Sequence, residues 1–337
     1  MLIRESVGWV LDSLHRTLGP SWDTRVEGDL LTVLHHDRSE HYLPPRRSLS
    51  FSDLLDVLER SFAAHDVPRA RPLPLRWGRD TDLTVSAVQA LDPLIKDGQD
   101  WVYRSGFLPQ PVVRLTGQRD GHGDLRDGFL TSFVNISHIQ PIKRHDEFSE
   151  VIDIWLSVLS DLGLHAKHLS LFGRLKTWRR DSVQGITLRF GHLDLTLGDV
   201  NLLWNADQPD RMAVDLGSGL ERLAWARSRT DWKDLVFGPF ADAAPPATLD
   251  AIRTATLLLG HGIRPGGRGA GGTTRRMINT IAPESAPLGV DAMVRFSHRY
   301  WHPIAPLHLE WPAIASAIEE EQSRRLRSSC QTAPAPS

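Results

Sequence analysis

The residues best suited to chemistry lie in one stretch, Val214–Leu223, which reads Val-Asp-Leu-Gly-Ser-Gly-Leu-Glu-Arg-Leu. Gly217 and Gly219 lack a Cβ, so a ligand could come close to the backbone there. The pattern predicts a glycine-bearing turn that runs into a helix, and the start of that helix would offer free N–H groups and a positive dipole end to an anion. Asp215 and Arg222 flank the glycines with opposite charges, which suits a zwitterionic or phosphate-bearing ligand. The alternative is that the glycines serve packing alone.

The elements that must position this stretch follow from the spacing of apolar residues. Helical periodicity predicts helices over 5–17, 51–64, 146–162, 249–259, 274–281 and 311–327. Alternation and short apolar runs predict a hairpin over 25–36 and strands over 80–91, 112–115, 131–139, 165–172, 185–190, 192–197 and 200–205. Lys176–Arg180 is predicted to be a solvated turn rather than a binding patch, and Gly117–Gly128 to be a polar loop able to contact a ligand. Strands that meet through hairpins and carry helices predict an α+β fold with an antiparallel sheet.

The composition excludes several classes of protein. The chain has 337 residues and a net charge of −2, so no global attraction to nucleic acid is expected. Its only cysteine is Cys330, so neither disulfides nor thiolate metal clusters are expected. The sequence shows no basic leader followed by an apolar core and no apolar run of membrane-spanning length. We therefore expect a cytoplasmic enzyme.

Changes in composition predict four segments along the chain. Residues 1–46 would form an N-terminal extension that ends at a proline pair, and residues 47–237 would form the α+β domain. Beyond a second proline pair the pattern becomes helical, which predicts a helical domain over 238–327. A disordered tail rich in proline, alanine and serine is expected over 328–337.

Two long segments resemble alanyl-tRNA synthetases. Val214–Leu223 is similar to the family's third signature motif, V-D-T-G-x-G-L-E-R-[IL]. Asp250–Arg276 is similar, without a gap, to the family's D-H-I-R…D-G-V-x-P…R-G-Y-V-L-R-R segment. Shorter matches are Val112-Val-Arg114 with C-V-R, Thr131-Ser-Phe133 with the T-F-F of the second motif, Asn201-Leu-Leu-Trp with W-N-x-V-F, and Asp80–Leu91 with the first motif. The resemblance implies a class II catalytic core, followed by a helical region like the one that binds the tRNA acceptor stem.

The resemblance implies an ATP site. Arg114 would contact the α-phosphate, where a guanidinium stabilises the charge that develops when a carboxylate attacks. Arg222 would bind the distal phosphates or stack on adenine, and Phe133 would pack against the adenine ring. The alternatives are that Arg114 is a surface arginine and that Phe133 serves only the hydrophobic core.

The resemblance also implies an amino-acid site. Asp215 would bind the α-ammonium group of the substrate, and Gly217 and Gly219 would allow it to approach closely. Asn201 and Leu203 would line the same pocket from the strand that carries the W-N-x-V-F match. For Asn201, the alternative is hydrogen bonding at the end of a strand.

The second-motif region departs from the family. Gly128–Asn135 reads Gly-Phe-Leu-Thr-Ser-Phe-Val-Asn where the family has R-H-H-T-F-F-E-M, so the arginine, the histidines and the glutamate are replaced. Gln118 stands in place of the lysine of C-V-R-A-G-G-K, and Leu203 in place of a pocket valine. The G-P-C-G-P-C-[ST]-E segment has no clear counterpart. Either the site handles ATP or its acceptor differently, or it no longer performs the full reaction.

The helical region keeps the family's arginines but not its loop for reading tRNA. Glycines in Pro265–Gly272 replace the asparagines of the family's P-S-N-x-N loop. Arg264, Arg268, Arg275 and Arg276 could contact phosphates of a tRNA, which would add affinity but little sequence reading. A solvated helix face is the alternative.

Metal binding is expected only as Mg²⁺ that accompanies ATP. Its protein ligands are unassigned, and Asp194 and Asp199 are the candidates. A structural metal is not expected, because none of the histidine groupings has carboxylate or cysteine support at ligand spacing.

The sequence leaves two functions open. The first is ATP-dependent activation of alanine or another small amino acid as an aminoacyl-adenylate, followed by transfer to a tRNA, a carrier protein or a small molecule in a specialised biosynthetic role. The second is a catalytically silent paralogue that binds nucleotide, amino acid or tRNA and regulates a partner. Loss of the family's glutamate and lysine favours the second, whereas retention of Arg114, Asp215 and Arg222 favours the first.

Overall fold

The computed structural model describes residues 2–38, 41–100, 103, 105–115, 125–144, 146–281 and 289–331. The chain forms two compact units. The first comprises Met1–Leu73, Ser86–Gln110 and Val134–Arg229. The second comprises Pro74–Val85, Pro111–Phe133 and Thr230–Ser337. Most of the predicted loop over Gly117–Gly128 lies outside the described residues, as does the chain beyond Gln331.

A nine-stranded sheet forms the framework of the first unit. Its strands are β1 (Trp22–Glu27), β2 (Leu30–His35), β3 (Gly106–Val113), β4 (Ser132–Ile142), β5 (Leu169–Arg174), β6 (Trp178–Arg180), β7 (Val183–His192), β8 (Leu195–Asn205) and β9 (Met212–Gly219). Their order is β1-β2-β5-β7-β8-β9-β4-β3, and β6 pairs with β7. Each neighbouring pair along the sheet from β1 through β2, β5, β7, β8 and β9 to β4 is antiparallel, and so is the pair of β6 with β7. Residues 111–113 of β3 and 132–133 of β4 fall in the second unit.

Helices flank the sheet and form most of the second unit. They are α1 (Leu2–Leu18), α2 (Phe51–Ala64), α3 (Asp92–Ile95), α4 (Glu147–Asp161), α5 (Leu220–Ser228), α6 (Trp232–Phe237), α7 (Pro246–Gly260), α8 (Gly269–Thr280), α9 (Val290–Trp301) and α10 (Trp311–Gln331). The α+β class with a large antiparallel sheet is therefore confirmed. No helix of the described residues is long and apolar enough to cross a membrane.

The two faces of the sheet differ in character because side chains alternate along each strand. Leu188, Val200 and Leu216 are direct partners on β7, β8 and β9, and all three are fully buried. Trp155 of α4 packs on this apolar side, with its ring centroid 5.5 Å from that of Phe190. The neighbouring residues of the same strands therefore point to the opposite, polar face.

In the second unit, α7 is buried along most of its length and contacts α8, α9 and α10. Arg253 of α7 contacts the rings of both Tyr300 and Trp301, with its Cζ 4.3 Å from each centroid. Its guanidinium donates a hydrogen bond to the carbonyl of Ser132, and Asp250 accepts one from the backbone N–H of Thr131. The buried acid and arginine of the D-x-x-R match thus hold the start of β4.

Several predicted elements are confirmed with little change. The helix over 51–64 is α2, and Ser50 caps it through a capping box with Asp53. The hairpin over 25–36 is β1 and β2, joined at Gly28, which has a φ of +65°. The predicted segment boundaries at 46/47 and 237/238 stay predictions.

The predicted strand over 80–91 is wrong. Leu83 makes only an isolated bridge with Arg76, and Ala87–Leu91 is a 3₁₀-helix. Ser86 and Gln89 form a capping box at the start of this helix, and this local hydrogen bonding outweighs the alternation of the sequence. The segment that matches the family's first motif therefore forms a bridge and a 3₁₀-helix in place of the predicted strand.

The strands predicted over 192–197 and 200–205 are one strand, β8. β7 runs on to His192, and the chain turns at Leu193, which has a φ of +54°. Gly198 continues β8 because it permits a close approach: a Cβ there would lie 1.9 Å from the carbonyl oxygen of Gly217. The turn predicted over Lys176–Arg180 is also wrong in part, since its last three residues form β6.

The glycines of Val214–Leu223 lie in a strand, which corrects the predicted turn. β8 pairs with β9 as far as Ser218 and β4 pairs with it as far as Gly219, so its backbone groups are satisfied by the sheet. α8 likewise begins at Gly269, five residues before the predicted start. α10 continues to Gln331, into the segment predicted to be a disordered tail.

Candidate functional site

A polar patch lies on the face of the sheet opposite the apolar core. Thr187, Asn201 and Asp215 are direct partners on β7, β8 and β9, so their side chains point to the same side. Asp199 and Gly217 form the next pair on that face. The sequence-predicted amino-acid residues Asn201, Asp215 and Gly217 are therefore brought together.

Asp215 occupies the most enclosed position of the patch, with a relative exposure of 6%. Ser137 of β4 donates a hydrogen bond to its Oδ1 over 2.8 Å, and Asn201 Nδ2 lies 3.4 Å from its Oδ2. These hydrogen bonds hold the carboxyl group of Asp215 in one orientation, in a largely water-excluded position.

Asn201 joins the two carboxylates of the patch. Its Nδ2 is 3.1 Å from Asp199 Oδ1 in addition to its contact with Asp215, and its Oδ1 accepts a hydrogen bond of 2.6 Å from Thr187. Thr187 in turn accepts a hydrogen bond of 2.9 Å from the indole N–H of Trp178. A continuous chain of hydrogen bonds therefore runs from the exposed β6 to the buried Asp215.

Gly217 leaves room beside these side chains. A Cβ at this position would lie 3.4 Å from Asn135 Nδ2 and 4.0 Å from Asp199 Oδ1, which are ordinary contact distances. The absence of a side chain therefore opens the patch rather than relieving a clash. Gly219 is the N-cap residue of α5 and has an extended backbone, with no side-chain cap. Leu203 lies two residues after Asn201 on β8 and is buried, so it borders the patch with apolar surface.

Asn135 fastens a neighbouring segment to this site. Its Oδ1 accepts a hydrogen bond of 2.9 Å from the backbone N–H of Ala87, and its Nδ2 donates one of 3.2 Å to the carbonyl of Ser218. The 3₁₀-helix over Ala87–Leu91 is thereby tied to β9 beside Gly217.

Arg222 lies in the first turn of α5 and is half-buried. Its Nη1 donates a hydrogen bond of 3.1 Å to the carbonyl of Thr196, and its Cζ is 6.0 Å from the ring of Trp225. Burial lowers the pKa of the Arg222 guanidinium. The neighbouring Glu221 faces inward, where its carboxylate accepts a hydrogen bond from the backbone N–H of Val134.

The other two predicted ATP residues belong to the second unit. Arg114 lies just after β3, and its Nε and Nη2 donate to the carbonyl of Val85 over 3.3 and 2.9 Å. Its Cζ is 5.4 Å from the ring centroid of Phe133. Arg114 and Phe133 are thus adjacent, in a cation–π contact.

The four arginines predicted to contact tRNA do not share one environment. Arg264, Arg268 and Arg276 are exposed. Arg275 instead pairs with the buried carboxylate of Glu321, with 2.9 Å between Nε and Oε1. Arg275 is therefore engaged in holding α8 to α10.

The two predicted Mg²⁺ ligands also differ. Asp194 pairs with Arg229 at 3.0 Å, and a hydrogen bond from that guanidinium lowers the pKa of the carboxyl group. Asp199 lies in the polar patch. Among the described residues, no three His, Cys, Asp or Glu side chains are grouped so that they could hold a metal ion.

Sequence reasoning missed Ser137, Thr187 and Trp178. Each is far from Asp215 along the chain, and strand register alone brings them together. A weak signal existed only for Thr187, a small polar residue between the apolar Ile186 and Leu188.

Neither a protein-family model nor a curated protein matches the chain.

Proposed function

We propose that the protein joins a small amino acid to AMP, with ATP as the source, and passes the aminoacyl group to an acceptor. The observation that carries this proposal is the polar patch around Asp215: a carboxylate that is 6% exposed, held by Ser137 and Asn201, beside a glycine that leaves space. A buried carboxylate that is already oriented suits the ammonium group of an amino acid, because a charge removed from water requires an opposite charge.

The strand order supports a class II synthetase-like core. β9 carries the third-motif match and runs directly into α5, which starts with Leu220. β8, with the W-N-x-V-F match, pairs with one edge of β9, and Asn135–Ile142 of β4 pair with the other. The segments that carry the third-motif and W-N-x-V-F matches are therefore adjacent in the sheet.

The chemistry would require positioning rather than a covalent nucleophile on the enzyme. A carboxylate oxygen of the amino acid bonds to the α-phosphorus of ATP as the bond to pyrophosphate breaks, and pyrophosphate leaves with its electron pair. Asp215 would hold the ammonium group so that the carboxylate points away from the floor of the patch. Arg222 would attract the phosphates, since a guanidinium stays protonated in proteins.

Mg²⁺ would enter with the phosphates of ATP and neutralise part of their charge. The described side chains do not form a protein cage for it, and Asp194 is engaged with Arg229. Asp199 is the better placed of the two predicted ligands, because it faces the patch.

ATP–pyrophosphate exchange with each of the twenty proteinogenic amino acids tests the proposal. We expect exchange with a small amino acid, and loss of most of it in Asp215→Asn and Arg222→Ala proteins. Asp23→Asn, a substitution of an exposed carboxylate on β1, is the matched control and should exchange normally. Full exchange by Arg222→Ala would show that the phosphate site lies elsewhere.

A binding role without catalysis is the second candidate. The observation that favours it is the hydrogen bonding of Arg114, whose Nε and Nη2 both donate to the carbonyl of Val85. If exchange is absent with every amino acid while calorimetry still detects binding of ATP or an amino acid, this second function is supported. The cytoplasmic location and the choice among tRNA, carrier-protein and small-molecule acceptors stay predictions.

A further inference from the structure

The hairpin that leads from β5 to β7 presents basic and aromatic side chains together. Lys176, Trp178, Arg179 and Arg180 are all exposed, and we call these four residues the β6 ridge. One acidic residue, Asp181, lies in the adjoining turn. The ridge is therefore locally cationic, although the whole chain carries a net charge of −2.

Trp178 has a fixed orientation on this ridge. It is the direct partner of Gly185, and a Cβ on Gly185 would lie 2.7 Å from Trp178 Cζ2, so this edge of the indole lies against the strand. The N–H on the same edge donates a hydrogen bond to Thr187. The residue is nevertheless 37% exposed, so part of the ring is accessible to solvent. Such a ring is a platform on which another flat ring can stack.

Trp178 also borders the candidate site. Its indole N–H starts the chain of hydrogen bonds that passes through Thr187 and Asn201 to Asp215. Arg180, two residues further along β6, points to the same side of the sheet as Trp178, because side chains alternate along a strand. A ligand stacked on the indole would therefore have a cation beside it and the polar patch in front of it.

We propose that the β6 ridge binds the single-stranded end of a nucleic acid, with a base stacked on Trp178 and a phosphate beside Arg180. An exposed aromatic face accepts any base, and neighbouring cations neutralise the backbone, which together form the usual basis for single-strand binding. The inference that this nucleic acid accepts the acyl group rests on the proposed function. The inference that the β6 ridge binds it does not depend on that function.

The size of the ridge favours a nucleic-acid end over an acidic protein. β6 has three residues, which span roughly 10 Å at the rise of a strand. A stable protein interface uses about 20–30 residues on each side. A single-strand site can be as short as about four nucleotides.

Fluorescence anisotropy with a labelled six-nucleotide single-stranded RNA tests the proposal, in the absence of ATP and amino acid. We expect binding that weakens as salt rises. Trp178→Ala should weaken it roughly ten-fold or more, and Trp178→Phe less, because a phenyl ring still stacks. Arg180→Ala should make the dependence on salt shallower. Arg174→Ala is the control, since this exposed arginine of β5 is already paired with Asp29 at 2.6 Å.

Three outcomes would overturn the proposal: equal RNA affinity in the wild-type and Trp178→Ala proteins, AMP bound as tightly as the RNA, or polyglutamate bound in preference to RNA. If Trp178→Ala fails to fold because it uncovers Gly185, the RNA affinities of the Trp178→Phe and Arg180→Glu proteins test the proposal instead. Because no ATP is present, RNA binding without pyrophosphate exchange would reject only the proposed function. Exchange without RNA binding would reject only the ridge.

Discussion

Asn201 and Asp215 lie directly opposite each other on β8 and β9, with 3.4 Å between Nδ2 of the first and Oδ2 of the second. Asn201 reaches Asp199 with the same nitrogen, at 3.1 Å. One amide therefore sets the position of two carboxylates. This relationship makes Asn201 a positioning residue for the proposed amino-acid site, even though Asp215 carries the charge.

We first predict that Asn201→Ala raises the KM for the amino acid in pyrophosphate exchange. A hydrogen bond to a charged group contributes about 1.5–3 kcal/mol, so the increase should be roughly ten-fold to one-hundred-fold. The KM for ATP should change little. Thr187→Val, which removes the hydroxyl that orients Asn201, should have a smaller effect in the same direction. Equal rises in both KM values would indicate a general loss of structure.

Ser137→Ala should destabilise the fold. Ser137 is fully buried, and its hydroxyl lies 2.8 Å from Asp215 and 2.9 Å from the carbonyl of Leu216. Loss of the donor leaves a buried carboxylate less satisfied, which costs about 1–3 kcal/mol. Urea unfolding followed by circular dichroism measures the change, with Ser52→Ala on the exposed side of α2 as the control. An unchanged urea midpoint for Ser137→Ala would show that this hydrogen bond does not stabilise the fold.

Gly198→Ala and Gly217→Ala should behave differently although the two glycines are neighbours across β8 and β9, one residue apart in register. A Cβ on Gly198 would lie 1.9 Å from the backbone oxygen of Gly217, so Gly198→Ala should prevent this pairing and abolish folding. A Cβ on Gly217 meets nothing closer than 3.4 Å, so Gly217→Ala should fold. Its methyl group would occupy the patch and raise the KM for the amino acid. Thermal unfolding and exchange kinetics distinguish the two outcomes.

Acid should destabilise the first unit through two buried histidines. Burial is the main cause that lowers the pKa of both His138 and His192 to about 4, from 6.5. The unfolded state then takes up protons first, so stability is present above pH 6.5 and is lost as pH falls toward 4. Each histidine should lower the free energy of unfolding by about 3 kcal/mol as the pH falls from 6.5 to 4. His138→Phe should flatten the pH dependence of urea unfolding, whereas His65→Gln, an exposed histidine, should not.

Local features of the sequence were sufficient for some elements and not for others. α2 follows from helical spacing and from Ser50 and Asp53, which are three residues apart and cap the helix directly. The strand predicted over 80–91 was wrong because a capping box between Ser86 and Gln89 competes with alternation over the same residues. β8 was divided in two because Gly198 resembles a turn residue unless its close contact with Gly217 is known.

The sequence by itself determined the kinds of chemical groups available: a carboxylate, two glycines and an arginine at the junction of β9 and α5. Only the tertiary structure decided which groups act together. Ser137 lies 78 residues from Asp215, and Arg275 lies 46 residues from the carboxylate that holds it. Strand register and helix packing select these partners, and both depend on burial and hydrogen bonding summed over the whole fold. Short-range spacing therefore shows what the patch can contain, whereas its assembly depends on contacts between distant parts of the chain.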